Sequence, residues 1–224
     1  MLERLGILAL VIIVLSVAGQ QVADRYDNTN ELFRKLFHVM HGVTLAGLAF
    51  VVPLNWIIAL EVLFFISVLI ARYVVGKYGR VIGWAGYLGR AYRVGRLSYG
   101  EFFFPISVIG VVMLANTKWE FAASVLVLGL ADAVAAIIGK KYGAATSYAI
   151  LGQKKSLIGS AAFFVVALAI ISWYAAFAPQ VHGLLTILAV VSISVVLTLT
   201  ENIGVYGSDN LLIPLIAVLL LNSL

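Results

Sequence analysis

The feature that most constrains this chain is a series of long apolar segments with very few charges inside them. A helix that crosses a bilayer needs about 20 apolar residues, or about 17 at the short end, and most of the segments reach that length. The sequence therefore predicts an all-α fold, a polytopic transmembrane bundle with about seven or eight spans. The predicted spans are residues 5–19, 34–53, 55–74, 102–116, 119–138, 157–178, 183–200 and 208–223.

The composition leaves no room for a separate soluble domain. Of the 224 residues, 63% are hydrophobic and 11% are charged, whereas soluble domains carry about 25% charged residues. Residues 1–224 are therefore expected to form a single integral membrane domain. The absence of cysteine excludes disulfides and thiolate metal sites. The net charge of +5 is explained by membrane topology, so no nucleic-acid partner is expected.

The first predicted span has two interpretations. Arg4 precedes the apolar run, and Ser16-Val17-Ala18 resembles the small-residue site at which a signal peptide is cleaved. The segment is either a cleaved signal peptide or a retained first span, and the residues leave both open.

The basic residues predict the orientation in the membrane. Three Lys or Arg residues lie between spans one and two, six between spans three and four, and four between spans five and six. Only Arg4 and Lys118 lie on the other side of the membrane. Because cytoplasmic connections are enriched in Lys and Arg, these three connections are expected to be cytoplasmic, with the N-terminus outside. The longest, residues 76–100, is expected to carry short interfacial helices, or else only to set topology and contact anionic lipid.

The start of the second span, RKLFHVMHG at residues 34–42, groups cations with two imidazoles. Arg34, His38 and His41 are spaced by four and three residues, so they share one stripe of a helix. This pattern suits an anionic ligand at the membrane surface, with a histidine available for proton transfer or phosphate contact. The alternative is that Arg34 and Lys35 extend toward the interface while the histidines are hydrogen-bonded inside the bundle.

Asp132 lies in the fifth span among Ala, Val, Leu, Ile and Gly residues. A carboxylate in a membrane helix costs about 2.5–3.5 kcal/mol on insertion scales, so such an acid is a candidate functional residue. Ala135, Ala136 and Gly139 follow it along much the same face and permit close approach by a helix or a ligand. The alternative is plain helix packing, with Asp132 paired to a basic neighbour.

The segment KKSLIGS at residues 154–160 opens the sixth span. Ser156 is expected to cap the helix, and the helix N-terminus with Lys154 and Lys155 makes a phosphate site plausible. The segment is not a P-loop, because Gln153 stands where the glycine of that motif is required. Lysines before a cytoplasmic helix are also ordinary topology signals.

Acids and amides lie close together after the seventh span, in ENIGVYGSDN at residues 201–210. Glu201, Asp209 and the neighbouring amides offer the hard oxygen atoms that Mg²⁺ prefers. The alternative is a polar turn in which Ser208 or Asp209 caps the last helix. Glu61 approaches from the opposite side of the membrane and is left out of this site. Every cation cluster and the strongest acids other than Glu61 reach one face, and this combination is what phosphoryl or nucleotidyl transfer requires.

Five motifs in this order resemble the CTP-dependent lipid-alcohol kinases, a family that contains dolichol kinase, phytol kinase and the CTP-dependent diacylglycerol kinase. The family is distantly similar to the phosphatidate cytidylyltransferases. The resemblance covers about residues 31–216 and rests on RKLFHVMHG at 34–42, GEFFFP at 100–105, LADAVAAIIGKKYG at 130–143, KKSLIGS at 154–160 and ENIGVYGSDNLLIP at 201–214. It implies a membrane enzyme that transfers the γ-phosphate of CTP, with Mg²⁺, to the hydroxyl of a polyprenol or dolichol, phytol or diacylglycerol.

The resemblance also implies the site residues. Asp132, His38 and Lys155 are the expected catalytic residues, and Asp132, Glu201 and Asp209 are the expected Mg²⁺ ligands. The other matched positions are expected to bind nucleotide or phosphate: Arg34, Lys35, Gly139, Ser156, Gly159 and Asn210. Lys140 and Lys154, which lie beside matched positions, are expected to bind phosphate as well. Ile158 departs from the family pattern, since many phytol and dolichol kinase-like members have Glu there, and this leaves the lipid class open.

Two other functions stay open on the sequence. A cytidylyltransferase would release pyrophosphate and make a CDP-activated lipid. A non-enzymatic lipid-binding or transport protein would use these charges only to set its topology.

Overall fold

The fold is that of a computed structural model, which describes residues 30–78, 100–179 and 186–224. It is 81% helical. The described residues form seven helices: α1 (Asn30–Leu48), α2 (Leu54–Tyr78), α3 (Gly100–Leu114), α4 (Lys118–Tyr142), α5 (Leu157–Phe177), α6 (Thr186–Ile203) and α7 (Asp209–Leu221). Each helix overlaps one predicted span. The first predicted span and most of the connection at residues 76–100 lie outside the described residues.

Three of these helices, α4, α5 and α6, are long and apolar enough to cross a membrane. In both α5 and α6 only 33% of the most apolar window is buried inside the protein, so apolar side chains such as Val165 and Ile187 face outward. Contiguous apolar surface of this kind is unfavourable in water and favourable against lipid tails. The prediction of an all-α chain with membrane-length helices is confirmed at this level.

Helix α4 lies at the centre of the described fold. One apolar cluster joins it to α5, α6 and α7 and includes Phe163 and Leu197. A second joins it to α1, α2, α3 and α7 and includes Ile57 and Val108. Because α4 contributes to both clusters, a side chain on α4 can meet side chains from helices on either side.

A π-helical turn at Val127–Ala131 interrupts α4 directly before Asp132. Gly129 in this turn packs against α1, since a Cβ atom added there would lie 3.0 Å from the carbonyl oxygen of His38 and 3.2 Å from the Cα of Gly42. The two glycines therefore let the α1 and α4 backbones touch. π-Helical turns occur frequently at functional sites.

The connection between α4 and α5 contains a β-hairpin, which the hydropathy pattern did not predict. Strand β1 (Ser147–Ile150) pairs antiparallel with β2 (Gln153–Ser156), and Tyr148 faces Lys155 across the ladder. The two turn residues, Leu151 and Gly152, have φ values of 49° and 76°, as in the primed turns that favour tight hairpins. This hairpin is the exception to the all-α prediction within the described residues.

Candidate functional site

The first contact of the candidate site joins α1 to α4. The ammonium group of Lys35 donates to the carboxylate of Asp132, and both side chains are buried. Lys35 lies two helical turns before Gly42, and Asp132 lies one turn after Gly129, so the glycine contact places both residues on the facing surfaces. The structure thus supplies Asp132 with a basic partner, which is the alternative that the sequence had left open.

The start of α5 lies against the end of α4. Ser156 caps α5 as predicted, because its Oγ accepts from the backbone N–H of Gly159 at 3.1 Å. A Cβ atom added at Gly139 would lie 3.0 Å from Ser156 Oγ and 3.3 Å from Gly159 Cα. The small residues after Asp132 therefore serve close helix packing in this structure, and a nucleotide role for Gly139 and Gly159 stays a prediction.

The hairpin places two side chains on the end of α6. Lys155 Nζ donates to Glu201 Oε1 at 2.5 Å and to the Glu201 backbone oxygen at 2.8 Å. Tyr148 faces Lys155 across the ladder, and the Tyr148 hydroxyl donates to Asn202 Oδ1. Ser160 on α5 donates to the same amide oxygen at 3.0 Å. Adjacent residues of α6 are thus held by cross-strand neighbours of the hairpin.

A tight turn brings α7 back toward Glu201. Gly204 permits it, since a Cβ atom there would lie 2.7 Å from the Cβ of Asp209. Ser208 Oγ accepts from the backbone N–H of Val205 at 3.0 Å and makes no side-chain cap for α7. Asn210 is buried and its amide donates to the carbonyl oxygen of Gly100 at 2.9 Å, which ties the starts of α7 and α3 together.

Five charged side chains from separate elements converge, and we call them the polar cluster: Lys35, Asp132, Lys155, Glu201 and Asp209. Asp209 lies close enough to Asp132, Lys35 and Lys155 for their charges to interact. Glu201 interacts in the same way with Asp132 and Asp209. Three carboxylates facing two ammonium groups leave one formal negative charge. In an otherwise apolar bundle, such a concentration of ionisable groups is typical of a functional site.

The polar cluster has the chemistry for Mg²⁺ but not a complete cage. Among the described residues, no three His, Asp or Glu side chains are grouped closely enough to hold a metal ion alone. Lys35 and Lys155 already bind two of the three carboxylates. Asn210 Oδ1, in contrast, is a buried oxygen with no hydrogen-bond partner in the described part of the chain. Because Mg²⁺ usually binds one or two carboxylates together with substrate phosphates, these oxygens fit an ion that arrives with a nucleotide.

The two histidines of the RKLFHVMHG motif lie on the same side of α1. The rings of His38 and His41 both lie against Phe104 of α3, with centroid separations of 5.0 and 4.9 Å. His41 also pairs with Glu61 of α2, 2.7 Å between Nε2 and Oε1. Glu61, which was excluded from the predicted site, is thus a buried and paired acid, whereas His38 lies one turn from Lys35.

Three predicted phosphate-binding residues are not among the five side chains of the polar cluster. Lys140 and Lys154 are exposed. The side chain of Arg34 lies outside the described part of the chain, although α1 includes its backbone. A phosphate-binding role for these three residues stays a prediction.

Sequence reasoning missed Tyr148 and Ser160, and it counted Asn202 only among the amides near Glu201 and Asp209. The only sequence signal for their contact was the position of Asn202 beside Glu201 and of Ser160 beside Gly159. Tyr148 gave no such signal, because its role depends on a hairpin that the hydropathy pattern does not reveal.

Comparison of the chain with protein-family models, with curated proteins and with solved structures found no match.

Proposed function

We propose that this protein is a multi-pass membrane kinase that transfers the γ-phosphate of CTP to the hydroxyl of a lipid alcohol at its cytoplasmic face. The observation that carries the proposal is the polar cluster, in which motifs up to 174 residues apart, from Lys35 to Asp209, supply side chains to one buried site. The order of those motifs and their resemblance to the CTP-dependent lipid-alcohol kinases support the choice of reaction.

The charges of the polar cluster suit phosphoryl transfer. Catalysis of this reaction depends mainly on positioning and on stabilising the charge of the transferred group. Lys35 and Lys155 are cations held at fixed positions by Asp132 and Glu201, and they would neutralise phosphate oxygens. The lipid oxygen would form a bond to the γ-phosphorus while the bond to the bridging oxygen breaks and CDP leaves. His38 or a carboxylate would take the hydroxyl proton.

Magnesium would be held by one or two of the carboxylates of Asp132, Asp209 and Glu201 together with the CTP phosphates, with the amide oxygen of Asn210 as a further donor. When bound, the ion would neutralise charge on the CTP phosphates. The two lysines would then exchange part of their contact with the carboxylates for contact with phosphate. In this exchange Lys35 and Lys155 would have charged partners both with and without nucleotide.

The lipid would approach sideways through the bilayer, between helices. Its hydroxyl would meet the nucleotide at the cytoplasmic rim, where the Lys-rich connections are expected. This arrangement needs no soluble domain, in keeping with the apolar composition.

The test of this function is an assay of the purified protein with CTP labelled at either the α- or the γ-phosphate, offered phytol, a polyprenol and diacylglycerol in parallel. Label from the γ-phosphate should appear in one of the lipids. Label from the α-phosphate in the lipid would identify a cytidylyltransferase instead. If neither label moves and CTP with Mg²⁺ does not raise the thermal unfolding midpoint, the protein is a lipid-binding or transport protein.

Preference for CTP over ATP is a prediction that rests on the family resemblance. Initial rates with the two nucleotides should be compared over matched concentration series, and kcat/KM should be higher for CTP. Equal values of kcat/KM would contradict the specificity for CTP. The proposed function would then be a lipid kinase of another nucleotide specificity.

A further inference from the structure

The last turn of α4 together with the connection to α5, residues 140–156, carries four lysines and no Asp or Glu. Lys155 faces inward and is bound to Glu201 in the polar cluster. The other three are exposed: Lys140, Lys141 and Lys154. The outer side of this connection is therefore strongly positive.

Two large apolar side chains are exposed on the same connection. Leu151, at the tip of the hairpin, is 65% exposed, and Tyr142 is 57% exposed with Lys141 Nζ 5.0 Å from its ring centroid. Leu151 also has a φ of 49°, a backbone conformation in which Asn or Gly is usual for this kind of turn. In water, Leu151 would gain neither from turn propensity nor from burial.

The two flanking helices also define the depth of the connection in the bilayer. It joins α4 to α5, both of which are long and apolar enough to cross a membrane. A segment between two such helices lies at the level of the lipid head groups, where lysines meet phosphate and apolar side chains can reach the acyl chains.

We propose that the outer side of this connection is a docking surface for anionic phospholipid head groups of the surrounding bilayer, and we call it the hairpin patch: Lys140, Lys141, Tyr142, Leu151 and Lys154. The lysines contact the head-group phosphates, and Leu151 and Tyr142 insert beneath them. This inference requires a membrane location but does not depend on the proposed kinase activity.

The hairpin patch is linked to the polar cluster through the β-ladder. Lys154 on the outer side is adjacent to Lys155, which holds Glu201. Tyr148 holds Asn202 from the same inner face of the hairpin. An anionic lipid that fixes the hairpin from outside therefore stabilises Lys155 in its place at the site, and the patch makes the polar cluster sensitive to the lipid composition.

The test uses the absence of native cysteine, which allows a single spin label at Leu151→Cys. The labelled protein is placed in nanodiscs of phosphatidylcholine alone and with increasing phosphatidylglycerol. The collision rate of the spin label with oxygen, which concentrates in the bilayer, is compared with its collision rate with a water-soluble nickel complex. Oxygen contact should rise and nickel contact should fall as phosphatidylglycerol increases. A label that stays equally accessible to nickel in both lipids overturns the proposal without any further mutation.

Lysine variants then identify the groups that bind the lipid. Lys140→Gln, Lys141→Gln and Lys154→Gln should each reduce the affinity for phosphatidylglycerol by roughly fivefold, as for a lysine near an anionic surface. The matched control is Lys118→Gln, an exposed lysine at the opposite end of α4. An equal loss of affinity in Lys118→Gln would overturn the assignment. It would also be overturned if CTP with Mg²⁺ withdrew the spin label from the bilayer, because the lysines would then bind the nucleotide.

Discussion

At the scale of single residues, the buried ion pair between Lys35 and Asp132 decides how the site must be tested. Removing one partner of a buried pair leaves an uncompensated charge, whereas replacing both partners with apolar residues is often neutral or stabilising. The insertion cost of a carboxylate in a membrane helix, taken by itself, predicts that loss of the charge at Asp132 leaves the fold intact or makes the helix easier to insert. Because Lys35 is its partner, the structure predicts instead that single substitutions destabilise the protein.

A double-mutant cycle separates this stability role from function. Lys35→Met and Asp132→Leu should each lower the free energy of unfolding by about 3–5 kcal/mol, and the double variant should recover most of that loss. Activity should not recover, because both proposed phosphate and metal contacts are gone. The measurements are thermal unfolding in detergent and γ-phosphate transfer for all four proteins. A double variant that regains both stability and activity would reduce the pair to a structural contact.

At the scale of helices and strands, the close contact of α4 with α5 determines where Lys155 and Ser156 lie. Ser156 Oγ is both the cap of α5 and the atom nearest to a Cβ added at Gly139. Any side chain at Gly139 must therefore separate the helices or displace the cap.

Gly139→Ala tests this contact, and Gly47→Ala is its matched control. A Cβ at Gly139 meets Ser156 Oγ at 3.0 Å, so the substitution should cost about 1–3 kcal/mol of stability. A Cβ at Gly47, in α1, meets no atom within 4 Å among the described residues, so Ala should be neutral or stabilise by up to about 1 kcal/mol. Thermal unfolding of the two variants provides the comparison. Equal shifts in both would show that the α4–α5 contact is looser than described.

Sequence patterns predicted the helices better than the contacts between them. Long apolar runs fix the bounds of α4 or α5 within a few residues, because bilayer thickness sets their length. The hairpin was missed because each strand has only four residues, because two of the four residues in β2 are lysines, and because the turn is Leu151-Gly152 without the usual Asn. Partners such as Lys155 with Glu201 depend on helix packing, which periodicity does not encode.

At the scale of the whole molecule, the charges are divided unequally between the two ends of the helices. Lys140 and Lys141 lie in the last turn of α4, and Lys154 and Lys155 lie in the connection to α5. Lys118 lies at the opposite end of α4. The positive-inside rule therefore predicts that the polar cluster and the hairpin lie toward the cytoplasm.

Cysteine labelling tests this orientation. Arg90→Cys and Lys154→Cys should react with a membrane-impermeant maleimide only from the cytoplasmic side, and Lys118→Cys only from the outside. Because the chain has no cysteine of its own, each signal has one source. Position 90 lies outside the described residues, so its labelling also tests the predicted path of the connection at residues 76–100. Labelling of position 90 or 154 from outside would contradict the shared cytoplasmic site.

The measurement that tests the central claim most directly is the rate of γ-phosphate transfer from CTP to lipid by the wild type, Asp132→Asn and Glu120→Gln. Asp132 and Glu120 are both buried acids on α4, but Glu120 accepts from the backbone N–H groups of Asn116 and Thr117 in a helix cap. Asp132→Asn should reduce turnover by about 10²-fold or more at a temperature where it is folded, as for loss of a preorganised electrostatic contact. Glu120→Gln should keep turnover close to that of the wild type. Near-normal turnover of Asp132→Asn at saturating Mg²⁺ and CTP, or no transfer by the wild type to any lipid alcohol, would contradict the claim that the polar cluster is a phosphoryl-transfer site.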